Sequence, residues 1–178
     1  MLVVFGGLPG TGKTTLSRRL AQAMRAAFLR VDDIEQTLRE SGALAGDVGP
    51  SGYMVGYALA AANLRLGQAV VADCVNPLAV TRAAWRDVAV ACGTAIAEVE
   101  VVCSDPAEHR RRVEARAPDP PGLPPPRWDR VQRFAYEPWV AAGAPPPLRI
   151  DTAGRSVAQS LAELRAALGL PGDGTPGA

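Results

Sequence analysis

The chain alternates short apolar runs with longer segments in which apolar residues recur at helical spacing. The first run covers residues 2–5, and after a glycine-rich turn Leu16, Leu20 and Met24 repeat every four residues. Four further runs of strand length occur at residues 27–31, 68–72, 96–103 and 148–151. Alternating strands and helices predict a parallel sheet with helices on both faces, in which ligands bind at the carboxyl ends of the strands.

Apolar spacing also places six helices beyond the first. They are predicted at residues 34–40, 53–66, 77–91, 106–116, 128–139 and 157–168. Asp33 is placed to cap the helix at 34–40, and Ser156 is placed to cap the last helix. The helix at 53–66 is apolar nearly all round, which predicts that it is buried.

Proline and glycine mark the irregular segments. Residues 117–126 are so rich in proline that regular structure is excluded, and they lie between two predicted helices. We therefore expect a short lid at about residues 110–127. Residues 144–147 form a second rigid connector, and the Gly- and Pro-rich residues 169–178 predict a flexible tail. A single domain is expected over residues 1–168.

Composition mainly excludes classes of function. The 178 residues are 48% hydrophobic and 21% charged, which suits one globular domain. A formal net charge of +1 gives no field that attracts nucleic acid or an acidic membrane, although binding to a nucleic-acid end stays open. No apolar run reaches membrane-spanning length, and three scattered cysteines favour a reducing, cytoplasmic location. The single histidine excludes a zinc site or a catalytic histidine triad built by this chain.

A phosphate-binding loop follows the first apolar run. Every fixed position of the pattern G-x-x-x-x-G-K-[ST] is present, with a strand before it and a helix after it, so we expect it to bind a nucleoside triphosphate. The residues of this phosphate loop are Gly7, Leu8, Pro9, Gly10, Thr11, Gly12, Lys13, Thr14 and Thr15. Lys13 is the only lysine among 19 Lys and Arg residues. Because arginine does not replace a compact ammonium, this indicates that function keeps the lysine there.

Three of the predicted strands end at an acidic residue. The acids are Asp32, Asp73 and Asp151, and we expect some of them to gather near the phosphate loop. Asp73 closes an apolar run, the Walker-B pattern in which the acid reaches Mg²⁺, and the Thr14 hydroxyl is expected to bind the same ion. A phosphotransferase also needs a carboxylate that takes the proton of the acceptor hydroxyl. Asp32 or Asp33 is placed for that role, whereas Asp33 alternatively only caps its helix.

Four arginines crowd the helix that precedes the proline-rich segment. They are Arg110, Arg111, Arg112 and Arg116. A closing lid would bring guanidinium groups to a phosphoryl group in transfer. We expect Arg116, the nearest to the lid, to act catalytically, and Arg112 to contact the nucleotide. The alternative is a solvated basic face that pairs with Glu108 and Glu114.

Together these motifs resemble a set of small P-loop kinases. The set includes the kinase domain of polynucleotide kinases, zeta-toxin-like kinases, chloramphenicol phosphotransferase and gluconokinase. The resemblance covers about residues 2–168 and rests on the phosphate loop, the turn at residues 30–33, the run 70–73 with Asn76, and the pair Arg112 and Arg116. It implies a three-layer α/β fold with five parallel strands in the order 2-3-1-4-5, and it implies ATP and Mg²⁺ as ligands.

The resemblance also implies roles for single residues. In polynucleotide kinases the first Asp of an Arg-Asp-Asp turn is the base, and Asp32 matches it. Asp73 matches an acid after the third strand, and Arg116 matches an arginine of the lid. Those kinases carry an arginine three residues past the base, where this chain has Glu35, which argues against a nucleic-acid 5′-hydroxyl as acceptor.

The leading hypothesis is therefore an ATP- and Mg²⁺-dependent kinase that phosphorylates a hydroxyl of a small molecule. One alternative is a polynucleotide 5′-hydroxyl kinase. Another, from a different class, is a nucleotide-dependent switch or ATPase that binds a protein partner. The identity of the acceptor, the choice between Asp32 and Asp33, the acting lid arginine and the oligomeric state stay open at this point.

Overall fold

Five parallel strands form one sheet in the computed structural model, which describes residues 1–42, 44, 46–139 and 146–170. The strands are β1 (Leu2–Gly6), β2 (Ala27–Arg30), β3 (Val70–Asp73), β4 (Ile96–Val102) and β5 (Leu148–Asp151). Their order is β2-β3-β1-β4-β5, which confirms the predicted order. The register pairs Arg30 and Phe5 with Asp73, so three strands present their carboxyl ends at one edge beside the phosphate loop.

Helices cover both faces of this sheet. They are α1 (Lys13–Met24), α2 (Val31–Glu40), α3 (Ser51–Arg65), α4 (Ala79–Ala91), α5 (Pro106–Glu114), α6 (Trp128–Gln132) and α7 (Val157–Ala167). Alternate residues of β1 point to opposite sides. Leu2 and Val4 join a core with α3 and α4, whereas Val3 and Phe5 join a second core with α1 and α7. The predicted three-layer α/β architecture is therefore confirmed.

The helix predicted at 128–139 is wrong beyond Gln132, where α6 ends. The following residues run past the start of α4, and the N–H of Glu137 donates to the carbonyl oxygen of Pro77 at 2.9 Å. This path buries the Trp139 ring on Gly6, where a Cβ would lie 2.1 Å from a ring carbon. Burial of a large ring outweighs the local helical pattern.

Two other local predictions are corrected. The helix α2 begins at Val31, with Arg30 as its N-cap, so Asp33 lies in the first turn and does not cap it. The helix α3 is not buried all round, because its residues Met54, Val55 and Leu59 are exposed. Apolar character alone did not distinguish the face that packs on the sheet from the face that meets solvent.

The predicted lid segment, residues 117–126, contains no helix or strand and connects α5 to α6. Half of the predicted connector at 144–147 and most of the tail at 169–178 lie outside the described residues. The single domain at 1–168, the lid and the tail therefore stay predictions. Within the described ranges, no helix is both long and apolar enough to cross a membrane.

Candidate active site

The phosphate loop joins β1 to α1 through backbone angles that require glycine. Gly7 has a φ of 142° and Gly10 a φ of 87°. A Cβ at Gly7 would lie 2.2 Å from the carbonyl oxygen of Val101, and one at Gly10 would lie 2.5 Å from a methyl carbon of Val113. The loop therefore fits against β4 and α5 only without side chains at these positions.

Three neighbouring segments hold the loop in place. His109 Nε2 donates to the carbonyl oxygen of Pro9 at 2.8 Å, and Thr152 Oγ1 donates to that of Thr11 at 2.9 Å. The N–H of Gly7 donates to the carbonyl oxygen of Val75 at 3.1 Å. Local sequence patterns could not indicate these contacts, since His109 and Thr152 lie about 100 and 140 residues from the loop. They make the loop a rigid, preorganised cradle.

The N-terminus of α1 faces this cradle. The helix begins at Lys13, its N-cap Gly12 supplies no capping side chain, and its first turn contains no acidic residue. Its first N–H groups are thus available to an anion. Lys13 itself is only 4% exposed, so its ammonium is held beside the loop.

Asp73 ends β3 directly beside the loop and is fully buried. Burial raises the pKa of its carboxyl group, while the Lys13 ammonium and the nearby Thr14 hydroxyl partly oppose the rise. Among the described residues, neither carboxylate oxygen accepts a hydrogen bond of regular geometry. A buried carboxylate without hydrogen-bond donors is a suitable ligand for a small hard cation.

The two adjacent acids of α2 point to different places. Asp32 lines a cavity of about 510 Å³ together with Lys13, Glu35 and Tyr53. Asp33 is 47% exposed and accepts a hydrogen bond from Arg30 at 2.9 Å. Only Asp32 of the pair is therefore placed to meet a molecule bound beside the loop. We call this space the Asp32 cavity.

The predicted arginines also separate. Arg116 lines the Asp32 cavity, and its Nη2 donates to the carbonyl oxygen of Asp119 at 3.0 Å. Arg112 lies beside the loop, where it donates to Thr152 Oγ1 at 2.7 Å and pairs with Glu108 at 2.6 Å. Arg110 is exposed and pairs with Glu114, so both acids that the alternative of a basic face named are paired with arginines of α5.

Asp151 does not join the other strand-end acids. Its Oδ1 accepts hydrogen bonds from the N–H groups of Ser104 at 3.1 Å and Ala153 at 3.0 Å. These bonds lower the pKa of Asp151, although burial raises it. Asp151 therefore stabilises the turn after β5. Asp32 and Asp73 do gather at the phosphate loop.

Arg30 is the residue that the sequence analysis missed. Its guanidinium is 1% exposed and lies between the side chains of Asp32, Asp33, Asp73 and Asp119. In the sequence analysis Arg30 was only part of the motif at residues 30–33 and was given no role. The pattern that could have identified it is a charged residue at the end of an apolar strand. Asp119 carried no signal, because it lies in a proline-rich segment without periodicity.

A smaller cavity of about 270 Å³ lies on the other side of the loop, against the start of α7. Its lining includes Gly12, Thr15, Arg112, Thr152, Arg155 and Val157. It adjoins the loop and has apolar as well as polar walls. A third cavity, of about 360 Å³, is lined by Lys13 and Thr14 of the loop together with Arg112 and Arg116, so Lys13 borders both this cavity and the Asp32 cavity.

Comparison with known families shows which family the chain belongs to. Residues 2–138 match the model of a family described as AAA domain. The chain belongs to this AAA domain family. An uncharacterized protein of Mycobacterium tuberculosis, Rv2004c, is 42% identical over 48 residues, which make up 27% of this chain and 10% of that protein. The chain therefore matches about a tenth of the length of this curated relative.

Solved structures show the same fold for this AAA domain protein. A gluconokinase from Sinorhizobium meliloti has a TM-score of 0.62 at 19% identity, and the alignment covers 94% of this chain and 90% of that one. The Mycobacterium tuberculosis APS kinase CysC, in complex with AMPPNP and APS, has a TM-score of 0.66 at 22% identity, with 94% and 96% covered. Chaetomium thermophilum Kti12, in complex with ADP-AlF3, has a TM-score of 0.68 at 20% identity, with 94% and 98% covered. The predicted resemblance to small P-loop kinases is confirmed at the level of fold.

Proposed function

We propose that this protein is an ATP- and Mg²⁺-dependent kinase that transfers the γ-phosphoryl group to a hydroxyl of a small molecule. The observation that carries the proposal is the shared cavity of Lys13 and Asp32. The Lys13 ammonium, suited to binding phosphate, and the Asp32 carboxylate, suited to accepting a proton, therefore border the same space. Fold and family membership support the kinase class.

The nucleotide would bind through its phosphates to the phosphate loop. Backbone N–H groups of the loop and of the first turn of α1 would hold the β-phosphate, and Lys13 would reach the β- and γ-phosphates. The base would occupy the cavity beside α7, which Arg112 borders. CysC in complex with AMPPNP and Kti12 in complex with ADP-AlF3 support the use of an adenine nucleotide by this fold.

Thr14 and Asp73 suit the magnesium ion that such a nucleotide carries. Asp73 supplies two buried oxygens without regular hydrogen bonds, and the Thr14 hydroxyl lies beside them. The described residues contain no group of three or more His, Cys, Asp or Glu side chains suited to a metal ion. Such a sparse donor set fits Mg²⁺, which keeps several waters and phosphate oxygens as ligands. When bound, Mg²⁺ neutralises charge on the β- and γ-phosphates.

Asp32 would orient the acceptor hydroxyl and take its proton. The acceptor oxygen forms a bond to the γ-phosphorus, the bond from the γ-phosphorus to the bridging oxygen breaks, and ADP leaves. Lys13 and Arg116, which border the same cavity, would stabilise the negative charge that develops on the transferred group.

Glu35 supports a small-molecule acceptor over a nucleic-acid end. It lines the Asp32 cavity three residues beyond the proposed base. Burial and the neighbouring Asp32 carboxylate raise the pKa of Glu35, whereas Arg39 opposes the rise. A second carboxyl group beside the base disfavours a phosphodiester at that point, because like charges repel. The polynucleotide 5′-hydroxyl kinase and the switch with a protein partner are therefore second to the small-molecule kinase.

The test measures transfer from γ-labelled ATP to sugars, amino alcohols and oligonucleotides with free 5′-hydroxyls, with Mg²⁺ present. Asp32→Asn is expected to lower kcat by about 10²–10⁴-fold, the usual contribution of a general base, with the Kd for AMPPNP changed less than about threefold. Asp87→Asn, an exposed change on α4, is the matched control.

Each outcome of the test separates the candidates. A labelled small molecule together with an inactive Asp32→Asn variant supports the proposal. Label on the oligonucleotide supports the 5′-hydroxyl kinase. ADP formation without any phosphorylated product supports the switch or ATPase. Unchanged turnover of the Asp32→Asn variant would remove Asp32 from the role of base.

A further inference from the structure

Arg30 is a buried cation at the point where the sheet edge meets the phosphate loop. It is the last residue of β2 and lies in register with Asp73 of β3. Its Nε lies 3.5 Å from Asp73 Oδ2 and has no regular hydrogen-bond acceptor among the described residues. One side of the guanidinium therefore faces the acid that would bind Mg²⁺.

The other side of the guanidinium faces the acids of α2. Arg30 Nη1 donates to Asp33 Oδ1 at 2.9 Å, and Nη2 lies 3.5 Å from Asp32 Oδ2. Arg30 thus touches the proposed base and the proposed metal ligand at the same time. A planar guanidinium is suited to this because its five donors have a fixed geometry.

The lid segment supplies the remaining partner. Asp119 accepts from Arg30 Nη1 through its side chain at 2.9 Å, and from Arg30 Nη2 through its backbone carbonyl at 2.8 Å. The same carbonyl oxygen accepts from Arg116 at 3.0 Å. One residue of the lid segment therefore connects the buried arginine to the arginine proposed to stabilise the transferred group.

The lid segment also fits closely against α2. Gly122 has a φ of 84°, and a Cβ there would lie 2.8 Å from Gln36 Nε2. The Asp119 contacts are therefore part of a packed arrangement of the lid segment on α2. Arg30 and Arg18 keep the pKa of Asp119 below its ordinary value against the opposing effect of burial, so the carboxylate stays charged.

We propose that Arg30 is a positioning residue that, through Asp119, couples the placement of the lid segment to the orientation of Asp32 and Arg116. When Asp119 is bound, the guanidinium is fixed on three sides and holds Asp32 beside the phosphate loop. When Asp119 is released, Arg116 loses its backbone acceptor and Arg30 loses two of its three hydrogen bonds to the described residues. The catalytic half of this inference rests on the proposed kinase function.

The first measurement needs no activity. Arg116 is half-buried and donates to Asp119, so release of the lid segment should make the bond after Arg116 more accessible to trypsin, and the fragments from this cut are distinguished by mass from cuts at other arginines. Asp119→Ala is expected to accelerate this cleavage about tenfold or more in the protein without nucleotide, since a charge-assisted hydrogen bond is lost. Glu114→Gln, which changes an exposed carboxylate paired with Arg110 at the end of α5, is the matched control and should leave the rate unchanged.

The second measurement separates positioning from stability. With the acceptor found for the wild type, Asp119→Ala and Arg30→Lys are expected to lower kcat by about 10- to 100-fold, with the KM for ATP changed less than about threefold. Lysine keeps the charge of Arg30 but not its fork of donors. Asp119→Asn, which keeps an acceptor oxygen, should fall between wild type and Asp119→Ala.

The outcomes are distinguishable from failure of the proposed function. Unchanged cleavage in Asp119→Ala overturns the placement of the lid segment by Arg30. Faster cleavage with unchanged kcat overturns the coupling to Asp32 and Arg116. Faster cleavage in a protein whose wild type phosphorylates no acceptor supports the contact and contradicts only the kinase. If Arg30→Lys fails to fold, as judged by circular dichroism, the variants of the half-buried Asp119 decide.

Discussion

Asp73 shows most clearly how a single residue combines a structural cost with a proposed role. The carboxylate is buried beside two cations, yet burial dominates and its pKa is raised. A group whose folded pKa exceeds its unfolded value of about 3.9 stabilises the fold least at high pH. Its ionisation therefore becomes costly as the pH rises from about 4 through the folded pKa. Such local cost at a site is typical of residues kept for function.

This cost predicts that Asp73→Asn stabilises the nucleotide-free protein. We expect the free energy of unfolding at pH 8 to rise, because the neutral amide removes the cost of burying an ionised carboxylate. The gain should shrink toward pH 4. Urea unfolding at several pH values measures it, with Asp87→Asn as the exposed control. A variant less stable than wild type at pH 8 would show that the attraction of Lys13 and Arg30 for the Asp73 carboxylate outweighs the cost of burying that charge.

At the scale of elements, strong local patterns in the sequence predicted the strands and the phosphate loop, whereas the order of the strands was an implication of the resemblance to small P-loop kinases. The helix at 128–139 was predicted too long, since burial of Trp139 on Gly6 depends on a contact across more than 130 residues. The role of Arg30 was unpredictable for the same reason. Its partner Asp119 lies 89 residues away, in a segment where neither propensity nor periodicity applies.

The shape of the phosphate loop depends on glycines, because neighbouring atoms leave no space for a side chain. Gly10→Ala adds a Cβ that meets Val113 and forces a positive φ on alanine. We expect a loss of about 1–3 kcal/mol in the free energy of unfolding and a weaker Kd for AMPPNP, because the loop must shift. The control is Gly46→Ala, where a Cβ meets open space. Equal effects of the two substitutions would contradict the close packing of the loop on α5.

For the whole molecule, the two cores and the site are linked through β1. Its alternate residues enter the cores on both sheet faces, and its last residue leads directly into the phosphate loop. A ligand that binds the loop should therefore stabilise the entire fold. Thermodynamic linkage predicts about 2.7 kcal/mol of stabilisation at a ligand concentration of 100 Kd.

Lys13→Arg is expected to abolish this stabilisation. For wild type with AMPPNP and Mg²⁺ at 100 Kd, the linkage corresponds to a rise in Tm of roughly 5–10 °C. The arginine fork does not fit the space of a buried ammonium, so the variant should show no shift. Thermal unfolding measures both proteins, with the exposed substitution Arg65→Lys as control. A full shift in Lys13→Arg would mean that any cation serves at this position.

The lone lysine also means that a reagent for amines has a single side chain as its target. Apart from the α-amino group of Met1, Lys13 carries the only primary amine in all 178 residues. An acyl-phosphate derivative of ATP would deliver its acyl group to this one side chain. The mass of the intact protein would then increase by a single increment for each occupied loop. A competing nucleotide in the phosphate loop would block this labelling. The fraction of intact protein that gains no mass would therefore measure its occupancy, without digestion and without an engineered label.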